Sequence, residues 1–294
     1  MGYPTWVGFA LFNLAEEKGI FEKHGIKVNL SVIDDESQYA SAMISNSIQA
    51  IAHVIDREIV NYSSGATEQA VVGIDESLGA DGLIATKEIQ SIADLKNKTV
   101  AVCKSSTSYF LLLTMLEKNG IDPSELTLED LQPSDAGAAF LAGKVDAAVT
   151  WEPWLSQASQ REGGHLLASS KDYPNTIVDV VCFSSKFIEE NPTTVQNFVD
   201  AWYETMAYYE ANPDESSEIM GKAMGISTDE FKAQMEGVHM LNQEDNQKLF
   251  DASSSDSLLS LTDRASNFWT KLKIMDKAVT SQEFVNTSFY QGSN

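Results

Sequence analysis

Apolar and polar positions along the chain switch repeatedly between the 3.6-residue period of an amphipathic helix and the two-residue period of a strand. A helix is predicted over residues 9–18, stopped by Gly19, and a shorter helical piece ends at Gly25. Residues 26–32 then alternate as a strand, a helix covers 38–45, and an apolar run over 48–55 ends at Asp56. The middle of the chain repeats this plan. A strand over 99–103 leads through the hydroxyl-rich turn 104–108 into a helix over 109–118 that stops at Gly120. There follow a strand-like segment at 126–131, a turn at 133–135, a helix over 136–142 stopped by Gly143, and a strand over 145–149 running into Thr150-Trp151-Glu152-Pro153-Trp154. The distances from Gly25 to Ala50 and from Gly120 to Ala147 differ by about two residues, so one supersecondary unit is used twice.

Strands alternating with helices define an α/β protein with mostly parallel sheet. Residues 71–74 read as a strand, 75–82 as a loop, and 83–85 as a strand crossing into a second lobe; 176–183 offers the return crossing. Beyond it the chain is helical almost to its end, with Asn191-Pro192, Asn212-Pro213 and Ser227-Thr228-Asp229-Glu230 as helix starts. The expected domains are therefore a discontinuous first lobe, residues 1–83 plus 183–294, and a second lobe, residues 84–182.

At 294 residues the chain is long enough to bury a large core without disulfides. Its formal net charge of −23, from 43 acidic against 20 basic residues, excludes a polyanion-binding surface, because no lysine run or arginine cluster exists to displace counterions. Most of that acidity reads as a solvated surface. Cys103 and Cys182 lie in Val-rich segments without metal or redox spacing and read as buried free thiols. No apolar run is long enough to span a bilayer. The opening MGYPTW lacks a leader and leaves the first strand short, which suggests an export signal already removed.

Ligands of open α/β sheets bind beyond the carboxyl ends of the strands, where helix N-termini present free N–H groups. Trp6, Asp56, the Ser105–Ser108 turn, Trp151, Glu152 and Asp179 fall at such places. The hydroxyls of Ser105, Ser106, Thr107 and Ser108 fit an anion seat, and fit an ordinary N-cap equally well. Tyr3, Trp6, Trp151 and Trp154 can form an aromatic box for a cation or simply pack in the core; Pro153 is expected to hold its segment extended, aiming at least one indole at a ligand. Asp56, Asp75, Asp81, Glu152 and Asp179 are carboxylates that are costly to bury unpaired, and with only Arg57 nearby a cationic ligand is one way to pair them. The alternative makes Asp56 a helix cap and Asp75 and Asp81 turn formers. His24, His53, His165 and His239 have no metal spacing, and neither a nucleophile elbow nor a glycine-rich phosphate loop occurs.

The stretches DESLGADGLIA, SIADLKNKTVAV, SSTSYFLLLTMLEKNGI and AAFLAGKVDAAVTWEPW, with GYPTWVGF before and NFVDAWYETMAYYEANPDE after them, resemble the substrate-binding proteins of the nitrate, sulfonate, taurine and thiamine-precursor class of ABC importers. Asn46 departs from the glycine more usual there and bears on a helix C-cap. The resemblance implies a two-lobed type II periplasmic-binding-protein fold, with two hinge crossings and a small solute in the cleft between lobes. It also implies a monomer working with an ABC permease outside the cytoplasm, periplasmic or lipid-anchored, with no cofactor and no catalysis. Carboxylates interleaved with indoles favour a small nitrogenous cation such as a guanidinium. The rival readings are a taurine or aliphatic sulfonate receptor, for which the resemblance makes the Ser-rich turn the anion seat, and an enzyme of the thiamine-pyrimidine type or a sensor on the same fold.

Overall fold

Each run of alternating elements closes into its own sheet. A computed structural model describes residues 1–293 and divides the chain into unit 1, Met1–Glu76, Val178–Lys232 and Met240–Asn294, and unit 2, Ser77–Ile177 with Ala233–His239. The chain thus passes between units at 76/77 and 177/178, where the sequence reading puts 83/84 and 182/183. Both cysteines are buried and free. Among the described residues no helix is long and apolar enough to cross a membrane.

The strands are β1 Gly2–Tyr3, β2 Ser31–Val32, β3 Ala50–Val54, β4 Glu68–Ser77, β5 Asp81–Thr86, β6 Thr99–Val102, β7 Thr127–Asp130, β8 Ala147–Trp151, β9 Gly164–Ser169, β10 Val178–Ser184 and β11 Val238–Met240. One sheet has the order β11-β4-β10-β3-β1-β2 and the other β7-β6-β8-β5-β9. The repeat is visible in the pairing. In unit 1, β1 lies parallel between β2 and β3; in unit 2, β6 lies parallel between β7 and β8. In both units the first strand of the repeat takes the centre and its successors flank it.

Some expected elements are shorter or longer. The strand expected over 26–32 is reduced to Ser31–Val32, because its only partner, β1, offers Gly2 and Tyr3 and no further residue. The loop expected over 75–82 shrinks to three residues, since β4 runs to Ser77 and β5 begins at Asp81, which makes Asp75 and Asp81 strand residues and not turn formers. β9 is an addition: its GHLLAS sequence is half-exposed and lacks clean alternation, yet it completes the edge beside β5. Asn46 takes φ of 57°, in the left-handed region, and its N–H donates to the Met43 carbonyl, as a residue closing a helix should.

Unit 1 is filled by aromatic side chains. Phe12 packs against Tyr3, Phe9, Phe198 and Trp202 at centroid distances of 5.4–6.3 Å. In unit 2 the alanines of β6 and β8, Ala101 and Ala148, let Ala136 and Phe140 of the helix Pro133–Leu141 close onto the sheet with Ile84 and Leu155.

One irregularity positions the site. The β4–β10 register slips between Asp179 and Val180, so Asp179 faces Asp75 while Val180 faces Gly73, and Ile74 is the extra residue of a bulge. The buried Asn246 grips the strand there: its Oδ1 accepts the Gly73 N–H at 2.7 Å and its Nδ2 donates to the Gly73 carbonyl at 3.0 Å. A Cβ at residue 73 would come 2.5 Å from a Leu249 methyl and 3.2 Å from Asn246 Oδ1, so glycine leaves room for this approach without shifting either. Asn246→Ala strips both bonds from buried backbone and is expected to cost about 2–4 kcal/mol, read as a lowered midpoint in urea unfolding; a loss under about 0.5 kcal/mol removes the tether argument.

Candidate functional site

The carboxyl ends of β1 and β3, the start of β10 and the end of β4 lie at one edge of the unit 1 sheet, as their parallel and antiparallel pairings require. Trp6 and Gly8 follow β1, Asp34 and Glu36 follow β2, Asp56 follows β3, and Asp75 and Asp179 close the edge. The Trp6 indole N–H lies 3.2 Å from each oxygen of Asp75. Asp75 and Asp179 are cross-strand partners that are 0% and 2% exposed, and their side chains hydrogen-bond. Burial pushes Asp75 up to about 7, partly offset by the bonds from Asp179 and Trp6, with the Glu76 charge adding to the rise. A Cβ on residue 8 would sit 2.3 Å from Asp75 Oδ2 and 2.6 Å from the Trp6 nitrogen, so this contact exists only because residue 8 is glycine.

Asp56 is buried as the second residue of the helix Ile55–Ser63 and is not its cap; the N-cap position is Val54. It lies in the first turn, at the positive end of that helix. Tyr3 leaves the proposed aromatic box: its ring is edge-on to Phe9 and tilted on Phe12, inside the core of unit 1.

Beside this edge lies a second buried acid group that sequence reading missed. His53 Nδ1 is 2.7 Å from Glu58 Oε1 and its Nε2 is 3.6 Å from Glu36. Burial alone would lower the His53 pKa, but Glu36 and Glu58 outweigh it and push it up to about 9. Arg57 lies 4.0 Å from Glu36, with its guanidinium over Trp269. Glu68, fully buried, meets no N–H or O–H donor and faces Glu58; burial and that neighbouring carboxyl raise its pKa, and the two can bond only through a shared proton. Same-sign neighbours were invisible to a search for His and Cys spacing.

In unit 2, β6 and β8 are parallel and β5 is antiparallel to β8, which brings Asp81, the Ser105–Ser108 turn and Trp151–Trp154 to one sheet edge. Asp81 is the cross-strand partner of Trp151, and the Glu152 N–H donates to Ala80. Glu152 is buried and accepts from both the N–H and the hydroxyl of Ser156, at 3.0 and 2.7 Å; burial raises its pKa against those bonds. Pro153 does not hold its segment extended: the Glu152–Pro153 bond is cis, and Pro153 takes helical φ and ψ at the start of the helix Trp154–Ala158. The Trp151 and Trp154 rings are 5.5 Å apart, Trp151 buried and Trp154 partly exposed.

The serine turn is not an ordinary cap. Ser106 occupies the N-cap position of the helix Thr107–Lys118, yet its hydroxyl donates back to the Cys103 carbonyl at 3.0 Å and no side chain caps the helix. Ser105 is exposed beside the Cys103 thiol, Thr107 is buried, and the buried Ser108 hydroxyl has no partner. Among the described residues no cluster of three or more His, Cys, Asp or Glu side chains can hold a metal ion.

Two sheets with a repeated strand–helix plan, each edged by buried acids, indoles and an uncapped helix, define a substrate-binding protein of the kind that serves ABC importers. The chain belongs to the NMT1/THI5-like family, whose model matches residues 6–216. It is 27% identical over 205 residues to the taurine-binding periplasmic protein of Escherichia coli (strain K12), covering 68% of this chain and 63% of that one. Its fold is that of the periplasmic aliphatic sulphonate binding protein SsuA from Escherichia coli, with TM-score 0.79, 22% identity and coverage of 98% and 97% of the two chains. The desulfurization enzyme DSZB has the same fold at TM-score 0.71 and 18% identity, over 99% and 97% of the two chains.

Two outcomes are expected. Gly8→Ala displaces the Asp75–Trp6 bond and weakens solute binding by about tenfold or more, in line with one lost charge-assisted bond, while circular dichroism stays native; unchanged binding removes Gly8 from the site. The raised pKa of His53 makes its stabilisation complete below about 6.5 and lost as pH climbs through about 9. Glu68, also raised, loses stability in the same direction, so Glu68→Gln should unfold at higher temperature than wild type at pH 9 and gain less at pH 5. An equal shift at both values contradicts the shared proton.

Proposed function

We propose that this chain is the solute-capturing component of an ABC importer and takes its solute by a positively charged nitrogen group. The observation that carries this is the Asp75–Asp179 pair, buried at the strand ends of the unit 1 sheet with the Trp6 indole N–H on Asp75. A guanidinium suits it, because a planar fork of donors matches carboxylate oxygens and stacks on an indole. The ammonium of an amino-sulfonate suits the same pair, and the name of the taurine-binding relative supports that member of the class.

A second reading takes the solute by a sulfonate. The uncapped helix at Thr107 and the unpartnered Ser108 hydroxyl favour it, as do the names of the sulfonate-binding relatives. Either way no bond of the solute changes. The partners are a small molecule and a permease, and the protein acts as a monomer outside the cytoplasm, free or lipid-anchored.

Calorimetry of the ligand-stripped protein against guanidine, methylguanidine, taurine and alkanesulfonates separates the readings. Micromolar binding, about −8 kcal/mol, is expected for solutes with a cationic nitrogen. Asp179→Asn should weaken that binding at least about tenfold and leave an alkanesulfonate nearly unaffected. Binding of alkanesulfonates alone removes the cationic reading, and conversion of the solute on incubation would make the chain an enzyme.

A further inference from the structure

We propose that unit 1 carries a strand-accepting slot at the end of its sheet opposite Trp6 and Asp75, and that its ligand is a short extended peptide continuing the line of β1. The proposal does not depend on how the solute is read. A crevice of about 190 Å3 lies there, between residues 26–31, residues 47–50 and the aromatic side chains Phe183, Phe187 and Phe198. These are the amino ends of β1 and β3 and the carboxyl end of β10, where Phe183 faces Ala50. Asp56 and Asp179 stand at the other ends of the same strands.

The ladder dictates what fits. β1 pairs with β2 through Gly2–Ser31 and Tyr3–Val32, and with β3 through Gly2–Ile51. The Ser31 N–H donates to the Met1 carbonyl at 3.0 Å, and the Met1 nitrogen donates to the Asn29 carbonyl at 2.7 Å. That is the alternation of a parallel ladder, in which every second residue turns both backbone groups to its neighbour. By the same alternation the Asn29 N–H, the Lys27 carbonyl and the Lys27 N–H come next, and among the described residues none of the three has a protein partner. Since Gly2 faces Ser31, Met1 stands opposite residue 30, and four further places lie opposite 26–29. The gap in line with β1 is one strand wide, two spacings of about 4.8 Å between its flanks. A strand fills it; a helix, about 10 Å across with its side chains, does not. The Tyr3 ring packs on Phe12, which touches Phe198, so alternate residues of an incoming strand fall on that aromatic face and are required to be apolar. Main-chain bonds then supply affinity and the aromatic face supplies selectivity, as in other additions of a peptide strand to a sheet.

The test titrates the whole chain with the acetylated, amidated tetrapeptide Val-Thr-Val-Thr, followed by calorimetry and by isoleucine methyl resonances. Saturable binding is expected with a dissociation constant of about 1 mM or tighter. The methyls of Ile26 and Ile48, which line the crevice, should shift, and those of Ile55 and Ile74 at the opposite strand ends should not. N-methylation of the third peptide residue removes the N–H aimed at the Lys27 carbonyl and should weaken binding about fivefold or more. Asn29→Pro removes the N–H turned to the slot, costs the protein no bond of its own, and should weaken binding by a similar factor. A second form of the chain, with the same four residues joined before Met1, supplies the strand from within: it should melt about 3 °C or more above the original and no longer bind free peptide. Absence of saturable peptide binding overturns the proposal, whatever the extended form does. So does binding that is indifferent to the N-methyl group, or that moves Ile55 and Ile74 in place of Ile26 and Ile48.

Discussion

Burying carboxyl groups next to one another is the constraint on which the rest of unit 1 depends. Asp75, Asp179, Glu58 and Glu68 are essentially without solvent, and an isolated ionised carboxylate in such a place would cost many kilocalories per mole. Only a few remedies exist: a proton, a basic partner, an N–H donor or a bound cation. The chain uses several at once. His53 answers Glu36 and Glu58, burial beside Glu58 raises the Glu68 pKa and so favours its protonated form, and the Trp6 indole answers Asp75. A chain can sustain so many same-sign groups only if their positions are held tightly, since a shift of an ångström would exchange a bond for a repulsion.

That tightness comes from backbone, not from more side chains. Glycine at 8 lets the loop after β1 touch Asp75, and glycine at 73 lets the tail helix touch β4. The bulge at Ile74 sets Asp75 opposite Asp179, where an unbroken ladder would turn one of them to the other face. The serine turn of unit 2 follows a similar logic with opposite polarity: Ser106 turns its hydroxyl back to Cys103 and leaves the electropositive end of the helix without a side-chain cap.

The sequence made the periodic part of the fold legible. The repeated strand–helix plan and the tail helices announce themselves through apolar spacing and through Gly and Asn-Pro punctuation, whereas the boundaries read at 83/84 and 182/183 fall five to seven residues after the 76/77 and 177/178 of the structure. Elements decided by a partner elsewhere were not legible: β2 is short because β1 is short, and β9 exists because β5 needs a neighbour. The candidate residues sort the same way. Position after a strand drew attention to Trp6, Asp75, Asp179 and Glu152, which the structure places at sheet edges, but said nothing of which acids would pair. Tyr3 looked like a recognition aromatic and is a core residue, Pro153 looked extended and starts a helix, and His53 looked solitary because its partners are two glutamates, Glu36 from the segment after β2 and Glu58 from the helix after β3. Gly8 and Gly73 carry no pattern at all; only their contacts reveal them.

The bond from Asn246 to Gly73 joins residues 173 positions apart, across an excursion of the chain through unit 2. On a ribosome, the first strands of unit 1 emerge long before the side chain that fastens their bulge. Unit 2, continuous but for seven residues, has nearly all its sequence available first. The acid pair is therefore among the last features of the polypeptide to be set, and a nascent chain presents no finished pair until its synthesis is nearly over.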